Sequence, residues 1–197
     1  EVGLFGSGKQ ARTQVQAVCR VRRVRRVQVY SRNEENRRRF AAELSELCQT
    51  EVVPVSRPEM AAENKDVVIT ATTSREPVLN GAWLAQGTHL NAVGSNFLGK
   101  AELDAATFRR VAAVVVDSKD QARIEAGDFQ QAFEEGSLHW SDVRELGQVI
   151  VGRYKGRAHD YDITLFKSLG IAVEDLAVAA RVYARAQAEG VGRLIEW

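Results

Sequence analysis

Apolar residues in this chain fall into short runs separated by longer stretches with helical spacing. Val2-Gly-Leu-Phe5, Val27-Gln-Val-Tyr30, Val52–Val55, Asp66–Ala71, His89–Val93, Val111–Asp117 and Asp162–Phe166 are brief and rich in β-formers. Each is predicted to be a strand. Asp66–Ala71 is apolar enough throughout to be covered on both faces, as strands of parallel sheets are. Between the runs, Ala11, Val15, Val18 and Cys19 share one helical face from Gln10 to Arg20, and Phe40, Ala41, Leu44 and Leu47 share another from Glu34 to Leu47. Pro58 opens a short helical turn, and Gly81 to Leu84 reads as a brief helix that carries Trp83 as a core or lid-packing residue. Lys119 to Val151 is helical and amphipathic with breaks at Gly127, Gly136 and Gly147, and Ile171 to Glu189 is a long alanine-rich helix. Strands alternating with helices predict an α/β fold with a Rossmann-like, doubly wound, mostly parallel sheet.

The first junction carries the chemistry. Gly6-Ser7-Gly8-Lys9-Gln10-Ala11 reads G-x-G-x-x-A between the first strand and the first helix. In that order, backbone N–H groups and a helix N-terminus face a pyrophosphate. Gly6 permits the tight turn, Gly8 lets the backbone approach the phosphates, and Ala11 allows close packing of helix on strand. An ordinary tight turn is the rival reading, and the matching context on both sides favours a dinucleotide. The second strand ends in Ser31-Arg32-Asn33, where an NAD site would place an acid to bind the ribose 2′-hydroxyl. A hydroxyl, a planar cation and an amide there suit a 2′-phosphate, which predicts NADP(H) over NAD(H). Asn33 is also suited to cap the following helix. The fourth strand empties into Thr72-Thr73-Ser74 at the edge where open α/β sheets bind ligands.

Composition narrows the function classes. The 197 residues carry 27 Lys+Arg against 26 Asp+Glu and are 45% hydrophobic, which suits a globular core. No apolar run approaches the roughly 18 residues of a membrane span, and no secretory signal is expected. Cys19 and Cys48 fit neither a disulfide framework nor a zinc site, so they are expected as buried free thiols in the cytoplasm. The three histidines lack metal-ligand spacing, and no metal is expected. Arg20-Val-Arg-Arg-Val-Arg-Arg26 raises nucleic-acid binding. In a βαβ unit, however, that run lies at the sheet end opposite the glycine turn, so a solvated helix end is expected and no nucleic-acid partner.

Five stretches together resemble the ornithine cyclodeaminase/mu-crystallin family. They are Gly3–Ala11, His89-Leu-Asn-Ala-Val-Gly94, Glu102-Leu-Asp104, Val116-Asp117-Ser118 and Thr164–Asp175. The last is especially close to the mu-crystallin branch, whose activity is NADPH-dependent ketimine reduction. The resemblance implies that Gly6, Ser7, Gly8, Lys9, Gln10 and Ala11 face the pyrophosphate, and that Ser31, Arg32 and Asn33 hold the adenosine end. It further implies that Thr72, Val93 and Gly94 border the nicotinamide riboside, that Lys100 and Ser168 add cofactor contacts, and that Leu169 lies beside the substrate. The family's cyclodeaminases carry an aspartate as acid/base where this chain has Asn96, which is the candidate catalytic residue here. Asparagine cannot titrate, and it orients substrate or water only by hydrogen bonds.

In the family, a substrate and dimerisation domain precedes the glycine motif and supplies the lysine and arginine for the substrate carboxylate. That domain is expected upstream of these residues, with homodimerisation through it. The chain then divides into an NADP(H)-binding domain, residues 1–160, and a C-terminal strand-turn-helix segment, residues 161–197, whose helix returns to that domain and exposes apolar surface. The function implied is reduction of the C=N bond of a small imino acid by hydride transfer. Alternatives are an ornithine cyclodeaminase or amino-acid dehydrogenase, and, from another class, a non-enzymatic NADPH-binding crystallin.

Overall fold

The computed structural model describes residues 1–193 and 195, so three residues of the C-terminal segment (194, 196 and 197) lie outside the described residues. Its first strand, β1 (Val2–Phe5), is buried along its whole length because it is paired on both edges. Parallel neighbours β2 (Arg26–Tyr30) and β4 (Val67–Thr70) flank it. The remaining strands are β3 (Glu51–Pro54), β5 (His89–Ala92), β6 (Val111–Val116), β7 (Val143–Glu145) and β8 (Ile163–Lys167). All eight run parallel in the order β3-β2-β1-β4-β5-β8-β6-β7. Strand order reverses between β1 and β4, and the crevice outside the carboxyl ends at such a point is where α/β sheets bind ligands.

Helices close both faces. Helix α1 (Lys9–Val21) and helix α2 (Glu34–Cys48) bury Ala11, Val15, Phe40, Ala41 and Leu44 against Leu4, Val27, Val29 and Ile69. Helix α2 starts where Asn33 Oδ1 accepts the Asn36 N–H at 2.8 Å, with Glu34 and Glu35 complementing the positive end of the dipole. It stops at Gln49, which takes a left-handed conformation with φ 51°. On the opposite face, Phe5, Val68, Leu90 and Leu165 pack with residues of α3 (Ala105–Arg110), α4 (Lys119–Glu125) and α5 (Gln130–Glu134). Phe129 centres that layer, edge-on to Phe108 at 5.5 Å and to Phe133 at 5.9 Å. Burying one such ring contributes about 2–3 kcal/mol.

The alternation expected from sequence is the one observed, with three differences. The six-residue α3 stands between the fifth and sixth strands, where no helical pattern in the sequence is long enough to read. Lys119–Val151 is not continuously helical. It holds α4, α5, the edge strand β7 and α6 (Leu146–Ile150). Only Val143 of β7 is fully buried, so a three-residue strand carrying Arg144 and Glu145 leaves no alternating signature. Strand β8, assigned from sequence to the C-terminal segment, is an inner strand between β5 and β6. Beyond it, α7 (Ala172–Glu189) buries none of its residues, and Val173, Leu176, Val178, Val182 and Tyr183 are all exposed. No helix among the described residues is long and apolar enough to cross a membrane.

Candidate functional site

Register alone brings the expected site together. Phe5 pairs with Tyr30 and Thr70, Thr70 with Ala92, and Ala92 with Lys167. The residues that follow each strand, Gly6, Ser31, Ala71, Val93 and Ser168, therefore stand side by side along one carboxyl edge.

Gly6 and Gly8 do different jobs in the opening turn. Gly6 has φ +111°, and a Cβ there would lie 2.3 Å from the Ala71 carbonyl oxygen. The turn therefore excludes a side chain with no ligand needed to explain it. Gly8 is extended, and its Cβ would meet nothing within 4 Å. It is the N-cap of α1, yet no side chain caps that helix and its first turn holds no acid. The leading N–H groups of α1, beginning with exposed Lys9 and Gln10, thus open onto free space, as an anion site at a helix N-terminus requires. Ala11 is fully buried under the turn. These residues fit a pyrophosphate.

At the end expected to hold adenosine, Ser7 Oγ donates to Ser31 Oγ at 3.1 Å, joining the ends of β1 and β2. Arg32 is exposed, and no ion pair holds its guanidinium among the described residues. Asn33 spends its Oδ1 on the α2 cap, which leaves only its amide N–H groups for another partner. Below this turn, Arg37 is 8% exposed, donates to the Ser31 carbonyl at 2.6 Å and packs over the Tyr30 ring.

The side expected to border the nicotinamide is built from farther apart. Thr72 follows β4 and Gly94 follows β5, and both aim backbone N–H groups at the buried Glu102. Thr72 N donates to Oε1 at 2.6 Å and Gly94 N to Oε2 at 2.7 Å, while Thr70 Oγ1 donates to Oε2 at 2.9 Å. Burial pushes the Glu102 carboxyl above its usual range, and the bonds from Thr72 and Thr70 pull the other way. The Val93 N–H is tied to the Thr70 carbonyl at 2.8 Å and the Ser168 N–H to the Ala92 carbonyl at 3.0 Å.

Asn96 is exposed, two residues beyond Gly94. Its loop is closed by Ser95 Oγ on the Lys100 carbonyl at 2.8 Å and by Lys100 N on the Phe97 carbonyl at 3.0 Å. Lys100 is thus placed at the end of this loop rather than in the turn itself. Beneath it lies a fully buried ion pair, Lys167 Nζ to Asp128 Oδ2 at 3.0 Å, with Lys167 also bonded to the carbonyls of Ser95 and Ala92. Leu169 and Gly170 each donate their N–H to Asp117 Oδ2 at 2.6 Å, which fixes the turn that follows Ser168.

Glu102, Asp117, Asp128 and Lys167 receive no role from sequence reasoning. Glu102, Asp117 and Lys167 do lie in the stretches that carry the family resemblance, and Lys167 gives a chemical signal as well: it ends an apolar strand, a place where a charge is costly unless paired. Elsewhere, Cys19 and Cys48 are half-buried and free. Burial and contact with Cys48 push the Cys19 thiol up to about 11, so it is a poor nucleophile. Arg20–Arg26 joins α1 to β2 at the amino ends of the strands, opposite the crevice, where Arg26 pairs with Glu51 at 2.7 Å. A cavity of about 730 Å³, lined among others by Val2, Arg22, Val67, His89 and Arg157, also includes the first residues of β1, β4 and β5. It is therefore not the crevice at the glycine turn. Among the described residues no three His, Cys, Asp or Glu side chains gather as a metal site would require.

Known proteins share this arrangement. Over 195 residues the chain is 37% identical to a Delta(1)-pyrroline-2-carboxylate reductase of Bacillus cereus, covering 98% of this chain and 60% of that protein. It is 36% identical to the ketimine reductase mu-crystallin of Mus musculus over 181 residues, 91% of this chain and 53% of that one. Among solved structures, the Thermococcus litoralis Delta(1)-pyrroline-2-carboxylate reductase, in complex with NADH and L-proline, superposes with a TM-score of 0.93 at 40% identity. That match covers 98% of this chain and 60% of the other. The chain thus spans about 60% of the length of such relatives. The family model for ornithine cyclodeaminase/mu-crystallin proteins matches residues 1–190, and the chain belongs to that family.

Proposed function

We propose that this chain forms the nicotinamide-dinucleotide half of an imine reductase that reduces the C=N bond of a small imino acid, with NADP(H) preferred over NAD(H). The observation that carries the reading is the open space at Gly8 in front of an uncapped α1, at the point where strand order reverses. In this reading the Gly6–Ala11 turn holds the pyrophosphate. Ser31, Arg32 and the Asn33 amide hold the adenosine ribose, while Thr72, Val93, Gly94, Lys100 and Ser168 contact the nicotinamide half. Hydride for the C=N carbon is the chemistry a reduced nicotinamide supplies when bound.

Leu169 and Asn96 border the substrate. Asn96 orients it or a water by hydrogen bonds, and the proton for the amine product comes from another group, because an amide does not titrate. That favours reduction over cyclodeamination, which needs a proton shuttle. The reductase and dehydrogenase names among relatives support the oxidoreductase class. Preference for the 2′-phosphate rests on Arg32, exposed and with no ion pair among the described residues, at the end of β2. The exposed apolar residues of α7 support packing against further protein, consistent with a dimer built through another domain.

Titration with NADPH and NADH, followed by tryptophan-to-nicotinamide energy transfer, tests the cofactor reading. NADPH is expected to bind more tightly. Arg32→Asp removes a charge-assisted contact and adds repulsion, so NADPH affinity should fall by about 10-fold or more and the order should reverse. An unchanged order means the 2′-phosphate is held elsewhere.

A further inference from the structure

Within the crevice, one side chain touches both loops that border the nicotinamide half. We propose that Glu102 is a positioning residue: by accepting the Thr72 and Gly94 N–H groups together, its carboxylate sets the spacing of the two strand-exit loops between which the nicotinamide riboside sits. This rests on the dinucleotide reading above.

The loops meet at contact distance. A Cβ on Gly94 would lie 2.3 Å from the Thr72 carbonyl oxygen, 2.5 Å from its nitrogen and 2.5 Å from Glu102 Oε1. Two backbone donors so close leave no direct bond between the loops, and both N–H groups face one acceptor. A carboxylate satisfies the pair and still receives the Thr70 hydroxyl. A carboxamide does not, since it would turn one of its own N–H groups toward a donor.

The carboxylate is also fixed from behind. The backbone N–H groups of Glu102 and Leu103 donate to Asp128 Oδ1 at 2.5 and 3.0 Å, and Asp128 is paired with Lys167 at 3.0 Å. Lys167 in turn holds the carbonyls of Ala92 and Ser95, which bracket Val93 and Gly94. A closed circuit of buried charge thus runs from β8 through Asp128 and Glu102 to both loops. At the adenosine end the ties are separate ones, the Ser7–Ser31 hydroxyl bond and the buried Arg37 on the Ser31 carbonyl, and among the described residues neither is bonded to Glu102. Loss of the Glu102 carboxylate should therefore loosen one end of the crevice only.

The test compares two ligands on the same protein: whichever of NADPH or NADH binds more tightly, and the matching fragment that lacks the nicotinamide riboside, 2′-phospho-ADP for NADPH or ADP for NADH. Glu102→Gln is expected to weaken the dinucleotide about 10-fold, as loss of hydrogen bonds to a charged group does, and the fragment less than about twofold. Equal weakening of both would mean that Glu102 only supports the fold, and no weakening of either would mean that the loops keep their spacing without it. Either result overturns the proposal. A wild-type protein that binds neither ligand overturns the dinucleotide reading itself, and this inference with it. Should Glu102→Gln not fold, Thr70→Val removes one donor and leaves the carboxylate on both N–H groups. It should cost about threefold on the dinucleotide alone, and a loss shared by the fragment would again overturn the proposal.

Discussion

On the β1–β3 side of the crevice, the polar groups come from two short stretches, Gly6–Ala11 and Ser31–Asn33, and most of them are exposed. On the β4–β5–β8 side the loops also carry polar side chains, Thr72, Asn96 and Lys100 among them, but their backbones are held from within by Glu102, Asp117, Asp128 and Lys167, all of which are buried. Two of the four come from other elements, Asp117 following β6 and Asp128 following α4. The first half is built from what it displays, and the second is shaped by what it hides. Exposed groups are inexpensive to change for the fold but decisive for a ligand, whereas a buried charge is tied to both.

Breaking the buried circuit should have the largest effect. Lys167→Met strands the Asp128 carboxylate at zero exposure, so unfolding free energy from urea titration should fall by about 3–5 kcal/mol. The exposed Arg12–Glu43 pair between α1 and α2 is the contrast: Arg12→Met should cost about 1 kcal/mol or less. Equal losses at the two sites would erase the distinction drawn here.

The two glycines sharpen it within a single turn. Gly6→Ala places a side chain at φ +111° and 2.3 Å from a backbone oxygen, so a loss of about 2 kcal/mol or more is expected in the same titration. Gly8→Ala meets no atom, and stability should stay within about 0.5 kcal/mol while dinucleotide affinity drops. If Gly8→Ala binds as the wild type does, the pyrophosphate is not at this turn.

The smallest effect lies away from the crevice. His89 bonds Thr164 Oγ1 at 2.8 Å and Asn91 Oδ1 at 3.2 Å, and burial holds its ring below the usual 6.5. The unfolded chain therefore takes up the proton first. Stability should rise with pH across the interval below 6.5 and fall as the solution is acidified through it. Unfolding free energies from urea titration at pH 7.5 and 5.5 should differ less in His89→Gln than in the wild type. An unaltered difference would locate the titration elsewhere.

The same contrast explains what could be read from sequence. Strand, glycine turn and helix are contiguous, so β1, α1 and the end of β2 were legible as elements. Seven strands were placed within a residue or two because each keeps a β-rich apolar run. Strand β7 was hidden by its length, with one buried valine between polar neighbours. Thr72, Gly94 and Ser168 were singled out, yet what holds them was not, since Glu102 lies 30 residues from Thr72 and Asp117 lies 52 from Leu169. A carboxylate in a polar loop looks the same whether it faces water or becomes the acceptor for a distant backbone. Only folding separates the two.

Strand β8 has a consequence for how the protein is made. It is the last of these eight strands to leave the ribosome, yet it stands between β5 and β6, which do not pair with each other. Until Ile163–Lys167 has emerged, the nascent chain carries two incomplete sheets with bare inner edges, the state in which strands join wrong partners. Closing the gap late also delivers Lys167 beneath the β5 exit loop in the same step, so the crevice gains its rigid floor only once β8 has emerged.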